Sequence, residues 1–291
     1  MAARPGRRPH PRPRRRRVRL STRRDVAAGI LPPRPGPAEA SPRLNGPFGL
    51  AWRLQSRPFY GWLAGFAVLG LVFGGVAGGM NDLINDNPDL RDIIADLGGA
   101  ATITDAYFAM VMNMLGLLAA GYAVSATLKL RAEESALHAE PLLATPTGRL
   151  RWASSHLLFA LAGPVAGLTV SALLAALVHD IGRFPDLLPA ALAQLPAVWL
   201  IAAIALALYG LVPRLTPASW AAVAVATLVT LIGPMLDLGQ WALDLSPFTH
   251  LPKLPGADFT ATPFVALLAL TAALAALGLA TFRRRDLSFA G

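Results

Sequence analysis

Six long stretches of this chain contain no Asp, Glu, Lys or Arg. They run 58–81, 106–128, 152–179, 187–213, 215–236 and 259–282, each 22 to 28 residues long. About 20 apolar residues of α-helix cross the hydrocarbon core of a bilayer. In lipid, only helices and closed barrels satisfy their own backbone polar groups. These runs have the length of helices and lack the alternation of barrel strands. The pattern predicts an all-α, polytopic membrane protein with six transmembrane helices, spanning about 59–80, 106–128, 153–178, 188–212, 217–236 and 263–282.

Composition narrows the chemistry. With 54% hydrophobic and 15% charged residues, the chain is membrane-like, and with no Cys it can form neither disulfides nor thiolate sites. The net charge of +9 is unevenly placed: residues 1–57 hold 15 arginines against Asp25 and Glu39. Prolines interrupt residues 1–45, and no aromatic residues are interleaved with the arginines there. Residues 1–45 therefore read as a disordered, cytoplasmic, Arg/Pro-rich tail. The alternative is a tail that binds nucleic acid or anionic lipid; the tail reading assigns no nucleic-acid partner. No apolar run follows the arginines closely enough to make a cleavable signal peptide.

Charge between the spans sets orientation, because Lys and Arg resist translocation. The tail, the 128–151 loop, Arg214 and the 283–285 end carry 15, 4, 1 and 3 basic residues, whereas the alternate loops carry one each, Arg91, Arg183 and Lys253. Both termini are expected in the cytoplasm, and the protein is expected in the plasma membrane. Residues 46–57, with Trp52 and Arg53, are short and amphipathic and read as an interfacial elbow helix on the inner leaflet, a flexible linker being the alternative. In the first outer loop, Asn87 and Pro88 are suited to start a helix on which Asp89, Asp92 and Asp96 share one face. The glycine and spacing of an EF-hand are missing, so this is a solvated face and no metal is assigned. The last outer loop, from Ser246 to Gly256, holds Pro247, Phe248, His250 and Pro252 and reads as an ordered external cap.

The sequence contains no phosphate-binding loop, no H-E-x-x-H and no G-x-S-x-G. No ionisable Asp, Glu, Lys or Arg lies deep in a span, where an ion-coupled carrier usually places one. No catalytic residue and no cofactor are assigned, and the energy for any transport must come from outside the chain. Attention therefore falls on the largest inner loop. It continues the second span as a charged helix through Arg131, Glu133 and Glu134, reaches Glu140-Pro141, where a helix should end, and returns through Arg149 and Arg151. Apolar Leu142, Leu143 and Leu150 sit among these charges, a pattern suited to docking on a cytoplasmic partner. A plain solvated connector is the alternative.

Several segments together carry a resemblance. They are Gly49-Leu50-Ala51-Trp52-Arg53-Leu54-Gln55, the Arg-x-Glu-Glu, Ala-Glu-Pro-Leu-Leu-Ala-Thr-Pro and Arg-x-Arg-Trp of the inner loop, residues 246–256, and the closing Phe282-Arg283-Arg284-Arg285-Asp286. This set resembles the type-2 ABC transporter permeases, and more narrowly the C-terminal half of actinobacterial polyketide-antibiotic and multidrug exporter permeases. The resemblance covers residues 22–291. It implies six spans per half, within 58–286 here, an elbow helix before the first and a cytoplasmic coupling helix between the second and third. It also implies an ABC ATP-binding subunit as partner, a second half (another copy or a first-half permease) and a small-molecule substrate. Leu137-His138 stands where the family usually has Gly-Arg, a departure at one basic docking position. Arg23-Arg24-Asp25 echoes Arg284-Arg285-Asp286, so residues 22–45 look like the linker after a first half. A non-transporting structural or regulatory membrane protein, or an inactive half-transporter fragment, is the rival class. An intramembrane enzyme is disfavoured, because no polar groups converge within the spans.

Overall fold

The computed structural model describes residues 46–87, 100–135 and 148–285. All of these belong to the compact unit Arg43–Gly291. The tail, the Asp89–Asp96 segment and the inner-loop residues around Glu140 lie outside the described residues. Among the described residues there is no strand. Eight α-helices follow in order: α1 (Pro47–Asp86), α2 (Ala100–Ser135), α3 (Arg149–His179), α4 (Phe184–Leu192), α5 (Leu195–Leu211), α6 (Ser219–Ile232), α7 (Gln240–Leu243) and α8 (Ala261–Arg284). They build six segments long and apolar enough to cross a membrane.

The helices are Ala- and Leu-rich, and Pro47, Pro185 and Pro196 each stand at a first-turn position where a missing N–H costs nothing. Hydroxyls inside the spans turn back onto their own helix: Thr127, Ser171 and Thr271 donate to the carbonyls of Ala123, Leu168 and Leu267 at 2.8–2.9 Å. These three hydroxyl hydrogens are thereby satisfied within their own helices.

Two spans form the centre. In the second and fourth, 72% and 78% of the apolar window is buried, against 22%, 17% and 11% in the first, fifth and sixth. Between helices in lipid, association depends on close packing of small residues. The α1–α3 pair shows this: a Cβ on Gly70 or Gly74 would lie 2.5 Å from the backbone oxygen of Ser171 or Ala175. The α5–α8 pair repeats it, with the Gly210 backbone against that of Gly278. Of the three G-x-x-x-G pairs in the first span, Gly70/Gly74 is thus used within the chain. Gly61, Gly65, Gly78 and Gly79 have no atom within 4 Å of a built Cβ.

At three places the helix limits differ from the spans read in the sequence. Residues 47–57 are helical, but no break separates them from the first span: α1 runs 40 residues through Pro58. At 1.5 Å per residue it is about 60 Å long, twice the hydrocarbon core, so its first turns extend beyond that core. They stay on the bundle because Ala51 and Gln55 are buried there. The fourth span begins earlier than 188 and is broken. A 3₁₀ turn, Ile181–Arg183, leads into α4, and two turn residues, Ala193 and Gln194, separate α4 from α5. Pro189 and Pro196 bracket that break, and Gln194 fills the space over Gly116, where a Cβ would come within 2.8 Å of it. The fifth span reaches across with 3₁₀ turns at both ends, Pro213–Ala218 and Gly233–Leu236, because α6 alone has only 14 residues.

The segment between α6 and α8, read in the sequence as a cap, folds against the bundle. Ser246 is fully buried; its hydroxyl meets Thr230 Oγ1 at 2.7 Å and accepts from the Phe248 N–H at 3.3 Å. Phe248, 1% exposed, inserts into the main apolar cluster. Pro247 is also buried, Pro252 is half-buried and His250 is exposed beside Asp244 at 3.6 Å. Trp241 and Phe259 face outward, as residues of an interfacial aromatic belt do.

Candidate functional site

The alternation of helices sorts charge to two ends. One end holds Arg53, Arg57, Lys129, Arg131, Arg149, Arg151 and the 283–285 arginines, against Glu133 and Glu134 among the described residues. The opposite end holds Asp82, Asp86, Asp105, Asp180, Asp186, Asp237, Asp244 and Asp258 with Arg183 and Lys253. Each end is fastened by an ion pair. At the acidic end, Arg183 pairs with Asp105 and lies 3.6 Å from Asp186.

At the basic end, four helices meet around Arg285, the residue after α8. Arg285 Nη2 donates to both carboxylate oxygens of Glu134 at 2.7 Å, and Nη1 donates to the Tyr209 carbonyl at 3.1 Å. Its guanidinium lies 5.1 Å from the Tyr209 ring centroid and 5.8 Å from that of Phe282. Arg149 in turn donates to the Arg285 carbonyl at 2.7 Å. The C-terminus of α2, the N-terminus of α3 and the ends of α5 and α8 are thereby tied to one residue. Glu134 is 3% exposed. A carboxylate so placed is tolerable only with a cation and its hydrogen bonds in position.

The contact continues across the bundle through aromatic rings. Trp152 packs on Phe282 and, edge-on at 5.5 Å, on His156. Burial at 1% leaves His156 no water, and its Nδ1 meets the Gln55 amide at 2.9 Å. The amphipathic segment before the first span is therefore joined to the same end as the inner loop. Trp52 remains 46% exposed over Phe59, Tyr60 and Phe159, and Arg53 points to the surface.

The inner-loop residues singled out in the sequence thus divide. Glu134 and Arg149 are engaged within the chain. Arg151 is exposed, Arg131 and Glu133 are half-buried, and Glu140 lies outside the described residues. Sequence reasoning missed Arg285, Tyr209 and Gln55 as members of this site. Arg285 was legible only as one of three terminal arginines, and its partner is 151 positions away.

Comparison with known proteins agrees with this architecture. The family described as "Multidrug efflux system permease Rv1217c, C-terminal domain" matches residues 44–283. The chain belongs to this permease family. A curated relative, the multidrug efflux system permease protein Rv1217c of Mycobacterium tuberculosis, is 42% identical over 274 residues. The match covers 92% of this chain and 50% of that protein, so the chain spans about half the length of the curated relative it matches. The matched range begins beside the start of α1 and ends within the arginines that close α8.

Proposed function

We propose that this chain is the membrane-spanning half of an ABC exporter permease in the bacterial plasma membrane, with both termini cytoplasmic. It moves an antibiotic-like or other amphipathic small molecule with energy from a separate ATP-binding subunit. It works beside a second six-span half, which is another copy or a first-half permease. The half-length match to a multidrug efflux permease carries this reading. The clasp at Arg285 supports it mechanically. Residues 136–147 lie between two helix ends, and Glu134 and Arg149 fasten both ends to the close of α8. A push on that loop from a docked ATPase would therefore be delivered to α2, α3, α5 and α8 together, as rigid-body rocking requires. On this reading Arg131, Glu133, Glu140 and Arg151 belong to the docking surface, while Glu134 and Arg149 hold its frame. Trp52 and Arg53 sit at headgroup level.

The test is reconstitution of the chain with its second half and its ATPase. Arg131→Glu with Arg151→Glu is expected to lower substrate-stimulated ATPase and transport about tenfold or more, equivalent to about 1.4 kcal/mol of lost docking. The amount of folded permease is expected to be unchanged. Wild-type coupling in the double variant would remove the inner loop as the docking surface.

A further inference from the structure

The two pieces of the fourth span are fastened to opposite ends of the molecule. The first, α4, lies on α3, and the 3₁₀ turn before it pairs Arg183 with Asp105 of α2 at the acidic end. The second, α5, lies chiefly on α8, where Gly210 meets Gly278 and Tyr209 joins the clasp at the basic end. Between them the helix is not continuous. The Gln194 N–H goes to the Ala191 carbonyl at 3.2 Å, one residue short of its α-helical partner. Pro196 has no N–H to give the Leu192 carbonyl. The neighbouring α3 has a weak point at the same level. The Trp199 indole of α5 donates to the Leu161 carbonyl of α3 at 3.2 Å. Just on the acidic side of that bond stand Gln194 in one helix and Pro164 in the other. Pro164 leaves the Ala160 carbonyl without its helical donor.

The side chain at the break is polar and unsatisfied. Gln194 is 3% exposed, lies near the middle of the span 181–211, and its Oε1 accepts no hydrogen bond. An amide oxygen held from water with no donor is unfavourable, the more so inside a bilayer. It rests over Gly116 of α2, where a Cβ would stand 2.8 Å from the Gln194 Cβ and 3.0 Å from its Oε1. Any larger residue at 116 would block this seat; glycine leaves a smooth surface for the amide to slide on. Three positions before Gly116, on the adjoining part of the same side of α2, is Asn113. It is half-buried, and its amide makes no hydrogen bond among the described residues. Each amide could satisfy the other, and in this conformation they do not.

We propose that Pro164 and the Ala193–Gln194 break form a midspan pivot, with two positions set by Gln194: over Gly116, as here, or hydrogen-bonded to Asn113. The basic-end halves of α3 and the fourth span, joined by Trp199 and the Arg285 clasp, turn together with α8. The acidic-end halves, held by Arg183 and Asp105, stay behind. Unbroken α2 is the column against which Gln194 moves. From the break, the 17 residues of α5 reach about 25 Å, so a swing of about 10° carries the far end about 4 Å. The pivot is a property of this chain alone; its use in transport rests on the exporter reading above.

The experiment uses the full chain in lipid nanodiscs, with spin-label pairs on introduced thiols and distances read by pulsed electron resonance; the chain has no Cys of its own. Ile181→Cys with Leu211→Cys spans the break, and both positions are exposed. Leu211→Cys with Val265→Cys stays within the α5–α8 pair and shares one label position, so it controls for motion of the label itself. The distance distribution across the break is expected to be about twofold wider than the control, or split in two. Gln194→Leu and Asn113→Ala are each expected to collapse it to the control width, because neither variant can form the second position. Thermal unfolding checks that each variant is folded, with Gln194→Met as the substitute should the leucine variant fail. A wild-type distribution as narrow as the control overturns the pivot. A wide one that survives both amide substitutions overturns it too, since Gln194 and Asn113 then set nothing. Failure of the chain to assemble with any ATPase would remove the exporter reading, while a wide distribution that both substitutions collapse would still uphold the pivot.

Discussion

Arg285 makes two bonds to Glu134 and one to the Tyr209 carbonyl, while its own carbonyl accepts from Arg149. The value of this cluster lies in what its loss would leave behind. Removing one partner of a buried pair strands the other charge, at a cost of about 3–5 kcal/mol, whereas replacing both with apolar groups is often neutral. Arg285 keeps 19% of its side chain exposed, so the lower part of that range applies. Glu134→Leu is expected to destabilise the protein by about 3 kcal/mol, Arg285→Leu by a comparable amount, and the double variant by much less than their sum. Thermal or denaturant unfolding in detergent micelles measures all three. Strictly additive losses would mean that the two residues do not act as a pair. The same geometry explains why Glu134 is a poor probe of docking: its substitution would disturb the frame before it tested the surface.

Helix contacts here depend on single small residues, which gives each contact a sharp control. A side chain at Gly74 would drive into the Ala175 backbone, whereas one at Gly65 meets nothing within 4 Å. Gly74→Leu is expected to separate α1 from α3 and cost about 1–3 kcal/mol or more, while Gly65→Leu on the same helix is tolerated. Equal effects on the unfolding temperature would contradict the α1–α3 contact. This pair also marks the limit of what the sequence disclosed. Three G-x-x-x-G pairs look alike as text, because spacing reports which residues share a helix face and not what that face meets. The six spans were legible because charge is excluded from lipid everywhere along a run, a signal repeated over 20 positions. The broken fourth span had a signal in Pro189 and Pro196, but the charge-free run from 187 to 213 outweighed it. Arg183 and Asp186 look like loop charges until Asp105 is seen to pair with Arg183. The Arg285 clasp and the Gln55–His156 bond join residues more than 100 positions apart, for which local pattern has no register.

For the whole molecule, orientation is the first question. The proposed topology puts the basic end in the cytoplasm. Because the chain has no Cys, one introduced thiol can be read without background. Ser135→Cys is exposed at the basic end and Asn87→Cys at the acidic end. In intact cells an impermeant maleimide is expected to label the second and spare the first; the reverse pattern would invert the molecule. The last question is where the folded unit starts. The family match begins at residue 44 and α1 at Pro47. The arginines before residue 21 have no apolar surface to bury, and Arg14 to Arg17 repel one another. After their loss, Arg23, Arg24, Arg34, Arg43, Arg53 and Arg57 still supply positive charge ahead of the first span. A chain starting at residue 21 is therefore expected to insert, fold and bind the proposed ATPase partner like the full chain, and removal of 22–45 as well is expected to be tolerated. A chain starting at residue 58 is different. It loses Ala51 and Gln55, both buried, and leaves His156 in the bundle without its hydrogen-bond partner, a cost of about 1–3 kcal/mol before any lost packing. It also loses Trp52 from the aromatic cluster with Phe59 and Phe159. Membrane extraction, size-exclusion profile and ATPase pull-down compare the truncations. Failure of the chain that starts at 21 would give the arginine tail a role in lipid or nucleic-acid binding. Normal assembly of the chain that starts at 58 would show that the first three turns of α1 do not anchor the bundle.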